Sequence, residues 1–202
     1  MTWTVVTDAQ LAVNKPARST DIKAIRDNIT SVALGEANAP NVALNFFHAQ
    51  DQRAASTDYG AAAAKFSTRI INTVLTNNIS GASLSSNQIT LPAGTYHISA
   101  EGTVAELGGT ALYLVNITDS TPLVFGYGTN AFATEYSKVS VTLRGSFTLA
   151  GTKVLEVRHA YVGSPGTDKI GEAVNLPAFI TGEPLLATWH NTYLNVEIWK
   201  RG

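Results

Sequence analysis

Cysteine is absent from the 202-residue chain, which excludes disulfides, thiolate metal sites and cysteine nucleophiles together and leaves stability to packing or assembly. Charge is scarce as well: Asp, Glu, Lys and Arg make up 14% of residues, against roughly 25% in ordinary soluble domains. A surface this poor in charge has little to keep it monomeric, so self-association is expected. With a formal net charge of -1, the chain has no basic excess to set against phosphates, and nucleic-acid binding is excluded as a class. No basic stretch leads into an apolar run at the start, and no uninterrupted apolar run approaches the roughly 20 residues of a membrane span. The expectation is a chain without a secretory leader and without membrane insertion.

What the sequence does have is alternation. Val139, Val141, Leu143, Phe147 and Leu149 share one parity while Ser140, Thr142, Arg144, Ser146 and Thr148 hold the other, so one strand face is apolar and the other wet. The pattern recurs with Tyr96, Ile98, Ala100 and Val104 against Thr95, His97, Ser99, Glu101 and Thr103, and again with Leu194, Val196 and Ile198. From Phe66 onward the chain reads as strands at 67–75, 88–91, 94–106, 111–118, 123–127, 139–149, 153–161, 177–181 and 192–200. Gly, Pro, Asp and Ser separators supply the turn chemistry. Strands in this number with no interleaved helices predict an all-β, antiparallel sandwich, with the jelly roll as leading topology.

The first 40 residues differ. Ser19 or Thr20 can cap a helix, Ile22, Ile25, Ile29 and Val32 recur along one face, and Gly35 offers a stop, predicting a helix over 19–34. A helix this short is marginal alone, so its apolar stripe needs a partner surface, either its own sandwich or another protein. Glu36 to Pro40 reads as a hinge. Residues 41–65 read as a linker, their composition suiting a loop or an edge strand. The organisation expected is thus an attachment segment over 1–40, an irregular segment over 41–65 and a sandwich over 66–202.

Ile89-Thr90-Leu91-Pro92-Ala93-Gly94-Thr95-Tyr96-His97-Ile98 resembles the apolar-Pro-x-Gly-x-Tyr strand pair of C1q and tumour-necrosis-factor-like jelly rolls. Ala111 to Asn116 resembles their next strand, Ser140 to Val157 a long hairpin, and Thr192 to Trp199 their closing core strand. The likeness spans roughly residues 66 to 202 and departs at Gly151-Thr152, where the family often has Gly-Asp. It implies a tight homotrimer, and in phage-type particles a head at the end of a fibre or spike. The opening Trp3 to Pro40 resembles the N-terminal attachment segment of phage structural proteins, with Trp3, Ile22, Ile25 and Ile29 as the anchor.

A separate argument for assembly comes from strand 192–200. Its second face carries Tyr193 and Trp199, and strand 111–117 likewise sets Tyr113 against leucines. Strands apolar on both faces are usually buried on both, which leaves the second face for a neighbouring protomer or the N-terminal segment; Tyr113, Tyr193 and Trp199 are the expected trimer contacts.

Catalytic signals are missing. The four histidines, His48, His97, His159 and His190, lack metal-helix spacing. Gly163-Ser164-Pro165-Gly166 is a turn rather than a nucleophile elbow, and Glu101, Glu106, Glu156 and Glu172 read as solvated strand positions. No metal or other cofactor is expected, and no enzyme activity. Sugar recognition, which sets aromatic faces against C–H patches and planar side chains against hydroxyls, suits Trp189-His190-Asn191 and Tyr127 with Asn130; the competing reading makes Trp189 a packing residue. The sequence reading is a virion-type structural protein on a particle surface, made in the bacterial cytoplasm. Its N-terminus meets capsid, tail or baseplate proteins and its head meets host cell-surface polysaccharide. A stand-alone bacterial carbohydrate-binding module or lectin is the alternative.

Overall fold

The computed structural model describes residues 19–34, 45–55, 57–61, 66–105, 109–130, 138–162, 169–171 and 190–201. The chain divides into two compact units, residues 1–44 and residues 45–202.

In the first unit, α1 (Ser19–Leu34) occupies the span read from the sequence. Ile22, Ile25 and Ile29 are exposed on it, while Lys23 and Arg26 both reach Asp27, at 2.7 and 2.9 Å. Those hydrogen bonds hold the Asp27 carboxyl below its ordinary pKa. Trp3, Gly35 and the 36–40 hinge lie outside the described residues.

The second unit is built of strands β1 (Phe46–Ala54), β2 (Gly60–Ala61), β3 (Phe66–Thr68), β4 (Thr73–Asn77), β5 (Ser83–Ser85), β6 (Gln88–Leu91) and β7 (Gly94–Ala105). It continues with β8 (Gly109–Asn116), β9 (Thr121–Phe125), β10 (Thr129–Asn130), β11 (Lys138–Leu149), β12 (Lys153–Tyr161), β13 (Lys169–Gly171) and β14 (His190–Arg201). The first sheet has the order β11-β7-β14-β1-β4. The second has the order β10-β8-β12-β6-β5, with β9 added to β8 and β3 to β12. Every pairing in both sheets is antiparallel. The alternation seen in the sequence faces inward as expected: Val141, Leu143, Phe147 and Leu149 of β11 and Leu194, Val196 and Ile198 of β14 share one core with Leu112, Leu114, Leu155 and Val157 of the second sheet.

The Pro-x-Gly-x-Tyr motif has a structural explanation. β6 belongs to the second sheet and β7 to the first, so Pro92 and Ala93 carry the chain across the sandwich. Tyr96, fully buried, donates its hydroxyl hydrogen to Pro92 O at 2.7 Å and ties the crossing to the core.

Three expectations are corrected. Residues 46–54, read as part of a linker, are not one: β1 is an interior strand, paired to β14 from Phe46↔Trp199 to Ala54↔His190 and on its other side to β4. Its signal was hidden because the inward parity runs Phe47, Ala49, Asp51, so a carboxylate stands where an apolar side chain would announce a core strand. The strand expected over 67–75 is two strands in different sheets. The chain crosses between them, with Arg69 N–H donating to Val157 O of the second sheet at 2.9 Å and Asn72 N–H to Gln50 O of the first at 3.0 Å. The long hairpin over 140–157 is a crossing as well, since β11 pairs with β7 along its whole length while β12 pairs with β8 and β6. The strand expected at 177–181 lies outside the described residues.

Beyond β9 the chain runs between β8 and β11, where Gly126 N–H donates to Leu112 O at 2.8 Å and Tyr127 N–H to Thr142 O at 3.1 Å. A Cβ at Gly126 would stand 2.7 Å from Leu112 O and closer still to Thr142 O, both fixed by their ladders. Gly126→Ala is therefore expected to cost about 1–3 kcal/mol through overpacking, read as a lower urea midpoint with an unchanged m-value.

Candidate functional site

The outward face of the second sheet carries an apolar trough whose shape follows from strand register. Inward residues of β8 and β12 fill the core, which leaves Ala111, Tyr113 and Val115 of β8 and Glu156, Arg158 and Ala160 of β12 facing away. Ala111 stands opposite Ala160, and Ala160 opposite Phe66 of β3. One row along, Phe125, Tyr113, Arg158 and Thr68 line up across four strands. Two neighbouring methyl groups thus make a low floor, walled by Phe66 on one side and by the Tyr113–Phe125 pair on the other. The rings of that pair stack with centroids 6.3 Å apart and planes at 17°.

Phe66, Ala111 and Ala160 line two adjoining clefts, one of about 300 Å³ toward Pro122 and Phe125 and one of about 390 Å³ toward Gly128, Thr129 and Val162. The most exposed large apolar side chains among the described residues of the sandwich include three on these clefts, Phe66 at 69% and Phe125 and Val162 at 72%, and Tyr127, between the cleft-lining Gly126 and Gly128, at 77%. Exposed apolar residues gathered in one place mark interaction surfaces, whereas scattered ones do not.

Polar groups flank the trough. Glu156 accepts hydrogen bonds from Thr68 at 2.7 Å, Arg158 at 2.8 Å and Gln88 at 3.0 Å. Burial works to raise the Glu156 pKa, but these three hydrogen bonds outweigh it and hold the carboxyl below the usual range. The same carboxylate keeps the Arg158 guanidinium above its ordinary value and fixed beside Tyr113. An aromatic wall, a positioned guanidinium, a carboxylate and an amide can together present an apolar surface and directed hydrogen bonds, but they contain no activated nucleophile.

The residues named from the sequence do not form one site. Tyr127 lies between Gly126 and Gly128, which line the two clefts, without lining them itself, and Asn130 ends β10 opposite Gly109. His190 and Asn191 belong to the first sheet, where they oppose Ala54 and Arg53, and Asn191 is buried with its amide toward Ala54 O at 3.5 Å. Trp189 lies outside the described residues, as do Glu106 and Glu172. Tyr113 is a trough wall. Trp199 is half-buried on the outer face of the first sheet, against Phe46 at 5.3 Å and His97 at 5.9 Å. Tyr193 needs a correction: it is 3% exposed within a single chain, its hydroxyl donating to Thr57 O at 2.7 Å and its ring meeting Tyr59 edge-on. The chain's own 57–59 segment covers the face that the sequence assigned to a neighbouring protomer. Phe66, Phe125, Ala111 and Ala160 went unnamed, because only strand register places them side by side. Among the described residues no group of three or more His, Asp or Glu side chains is placed to hold a metal ion.

Two antiparallel sheets in this strand order, with the chain repeatedly changing sheet, define a jelly roll of the tumour-necrosis-factor-like kind. Murine APRIL, of the tumour-necrosis-factor family, matches it in crystal structures at pH 8.0 and pH 5.0. Each has a TM-score of 0.50 and covers 79% of this chain and 100% of that one, at 8% and 9% identity. The globular domain of zebrafish complement 1qA covers 78% of this chain and 95% of its own, at 14% identity and a TM-score of 0.40. At these identities the likeness to APRIL is one of fold. No protein-family model and no curated protein sequence matches the chain.

Proposed function

We propose that this chain is a non-enzymatic structural protein of a phage-type particle: a homotrimeric fibre or spike, made in the bacterial cytoplasm and displayed on the particle surface. Its N-terminal segment fastens to other particle proteins and its jelly-roll head meets host-surface glycan. The observation that carries the host-contact role is the trough. Exposed rings on a hydrogen-bonded sheet offer a preorganised apolar face that suits the C–H side of a pyranose, and the Arg158–Glu156 pair supplies directed partners for hydroxyls. The exposed Ile22, Ile25 and Ile29 of α1 suit the anchoring role. Trimerisation is supported by the scarcity of surface charge and by the Trp199–Phe46–His97 cluster on the outer face of the first sheet.

Deleting residues 1–39 is expected to abolish incorporation into particles while the remainder still sediments as a trimer at micromolar concentration. Phe66→Ala combined with Phe125→Ala is expected to weaken binding to host capsule or wall polysaccharide by at least about tenfold, as the loss of buried aromatic anchors does, without shifting the melting temperature of these exposed positions. A full-length monomer that binds polysaccharide normally would identify a stand-alone carbohydrate-binding module or lectin, and shortening of the polysaccharide on incubation would identify an enzyme.

A further inference from the structure

The apolar residues of α1 recur with a spacing that selects their partner. Ile22, Ile25, Ile29 and Val32 follow at steps of three, four and three residues, which sets them at a, d, a and d of a heptad. In that register Asp21 and Asn28 take g, while Arg26 and Ala33 take e. Three of the four positions beside the seam are therefore polar. A helix lying on a globular surface carries a wider stripe that reaches into e or g, whereas a strict a/d stripe is the seam of a coiled coil. Within a single chain the seam is open, with Ile22 59%, Ile25 41% and Ile29 67% exposed.

The residue types also set the number of strands and their direction. Isoleucine at both a and d favours three or four strands over two. In a parallel bundle each g residue faces the following e residue of the neighbouring helix, so Asp21 of one copy meets Arg26 of the next with opposite charge. Antiparallel packing would set g against g and e against e, and would bring no opposite charges together. Arg26 rests on Asp27 of its own helix at 2.9 Å, an exposed pair of the kind that contributes little and is readily exchanged. Lys23 and Asp27, joined at 2.7 Å, take b and f on the side away from the seam, where a bundle meets water.

We propose that α1 forms a parallel three-stranded coiled coil with the α1 helices of two other copies of this chain. The proposal rests on the homotrimer proposed above: a helix of 16 residues is too short to assemble alone, and association of the heads brings three tethered helices to a local concentration on the order of millimolar. It is then the bundle as a whole, with its isoleucines covered by one another, that meets the particle.

Because the chain has no cysteine, a single introduced one reports a single position. Ile25→Cys puts a thiol in the seam and Lys23→Cys puts one on the outside. Mild oxidation of the full chain with copper phenanthroline is expected to link copies at least about tenfold faster in Ile25→Cys than in Lys23→Cys, since only seam thiols come within disulfide reach. Both variants are expected to sediment as trimers before oxidation. Ile25→Asp combined with Ile29→Asp should lose the helical circular dichroism at 222 nm while the head keeps its melting temperature. Trimers in which the two cysteine variants oxidise at equal rates would overturn the coiled coil and leave the homotrimer standing, as would an unchanged helical signal in the aspartate variant. Monomers would overturn the homotrimer and the coiled coil with it. A seam that links within assemblies of two or four copies would overturn the three-stranded assignment.

Discussion

Replacing Arg69 by alanine is expected to remove about 3–5 kcal/mol of stability, the range seen when a large buried side chain is truncated and its hydrogen-bond partners are stranded. Thr103 O and Tyr193 O each lose their bond to the guanidinium, Tyr59 loses its cation on the ring, and a void opens beside Gly102. Since whole domains are stable by only about 5–15 kcal/mol, this one change should bring the sandwich close to unfolding at physiological temperature. Arg69→Lys is expected to recover part of the loss, because an ammonium keeps the charge but cannot span the two carbonyls as the planar fork does. Urea titration of the three proteins by tryptophan fluorescence measures it; a loss below about 1 kcal/mol for alanine, the size of a single net hydrogen bond, would show that the guanidinium is not held as described.

Acid should destabilise the head well before its carboxylates titrate. His159 is buried against Thr110, and burial first, Arg69 second, push its pKa down to about 3. In the unfolded chain a histidine titrates near 6.5. Between those two values the unfolded state binds a proton that the folded state refuses, so the stability contributed is full above about pH 6.5 and falls as pH drops toward 3. The slope is about 1.4 kcal/mol per pH unit, or roughly 2 kcal/mol lost at pH 5. The lowered carboxyls of Glu156, Asp119 and Asp27 act in the same direction but only below the ordinary carboxylate range. Asp51 acts in the opposite direction, since burial raises its carboxyl and the folded state takes up that proton first; the histidine's share is therefore the difference between the native and variant profiles from pH 6.5 to 4.5. His159→Gln, which can keep a hydrogen bond to Thr110, should flatten the profile in that window. An unchanged slope in the variant would assign the acid sensitivity elsewhere.

Much of the sandwich was legible because β7, β11, β12 and β14 each bury one face against the core, and period-two alternation is the imprint of that arrangement. β6 and β12 were read to the residue, since Gly, Pro and Asn mark their ends. β1 was not legible, because Asp51 and Arg53 occupy its inward parity and their burial depends on Asn72, Arg69 and Tyr59, which come from later in the chain. The break between β3 and β4 was hidden by an unbroken run of strand-forming residues through Ile70 and Ile71. A change of sheet there is a matter of which partners are nearer, not of composition. The trough illustrates the same limit. Ala111 and Ala160 are unremarkable in sequence, and only a register that sets them side by side, with Phe66 and Phe125 flanking, turns two small residues into a floor. The Tyr193 expectation failed for a related reason: a second apolar face was recognised correctly as needing cover, but the cover came from Thr57 and Tyr59 of the same chain.

The position of β14 between β7 and β1 has a consequence for biosynthesis. As the polypeptide leaves the ribosome, β11-β7 and β1-β4 can form only as two separate ribbons, each with an unmatched backbone edge, until the strand from His190 onward is delivered. Vectorial folding is therefore ruled out for this sheet. The nascent head waits nearly its whole length for closure, with its apolar inner face open to chaperones and to other unfinished chains.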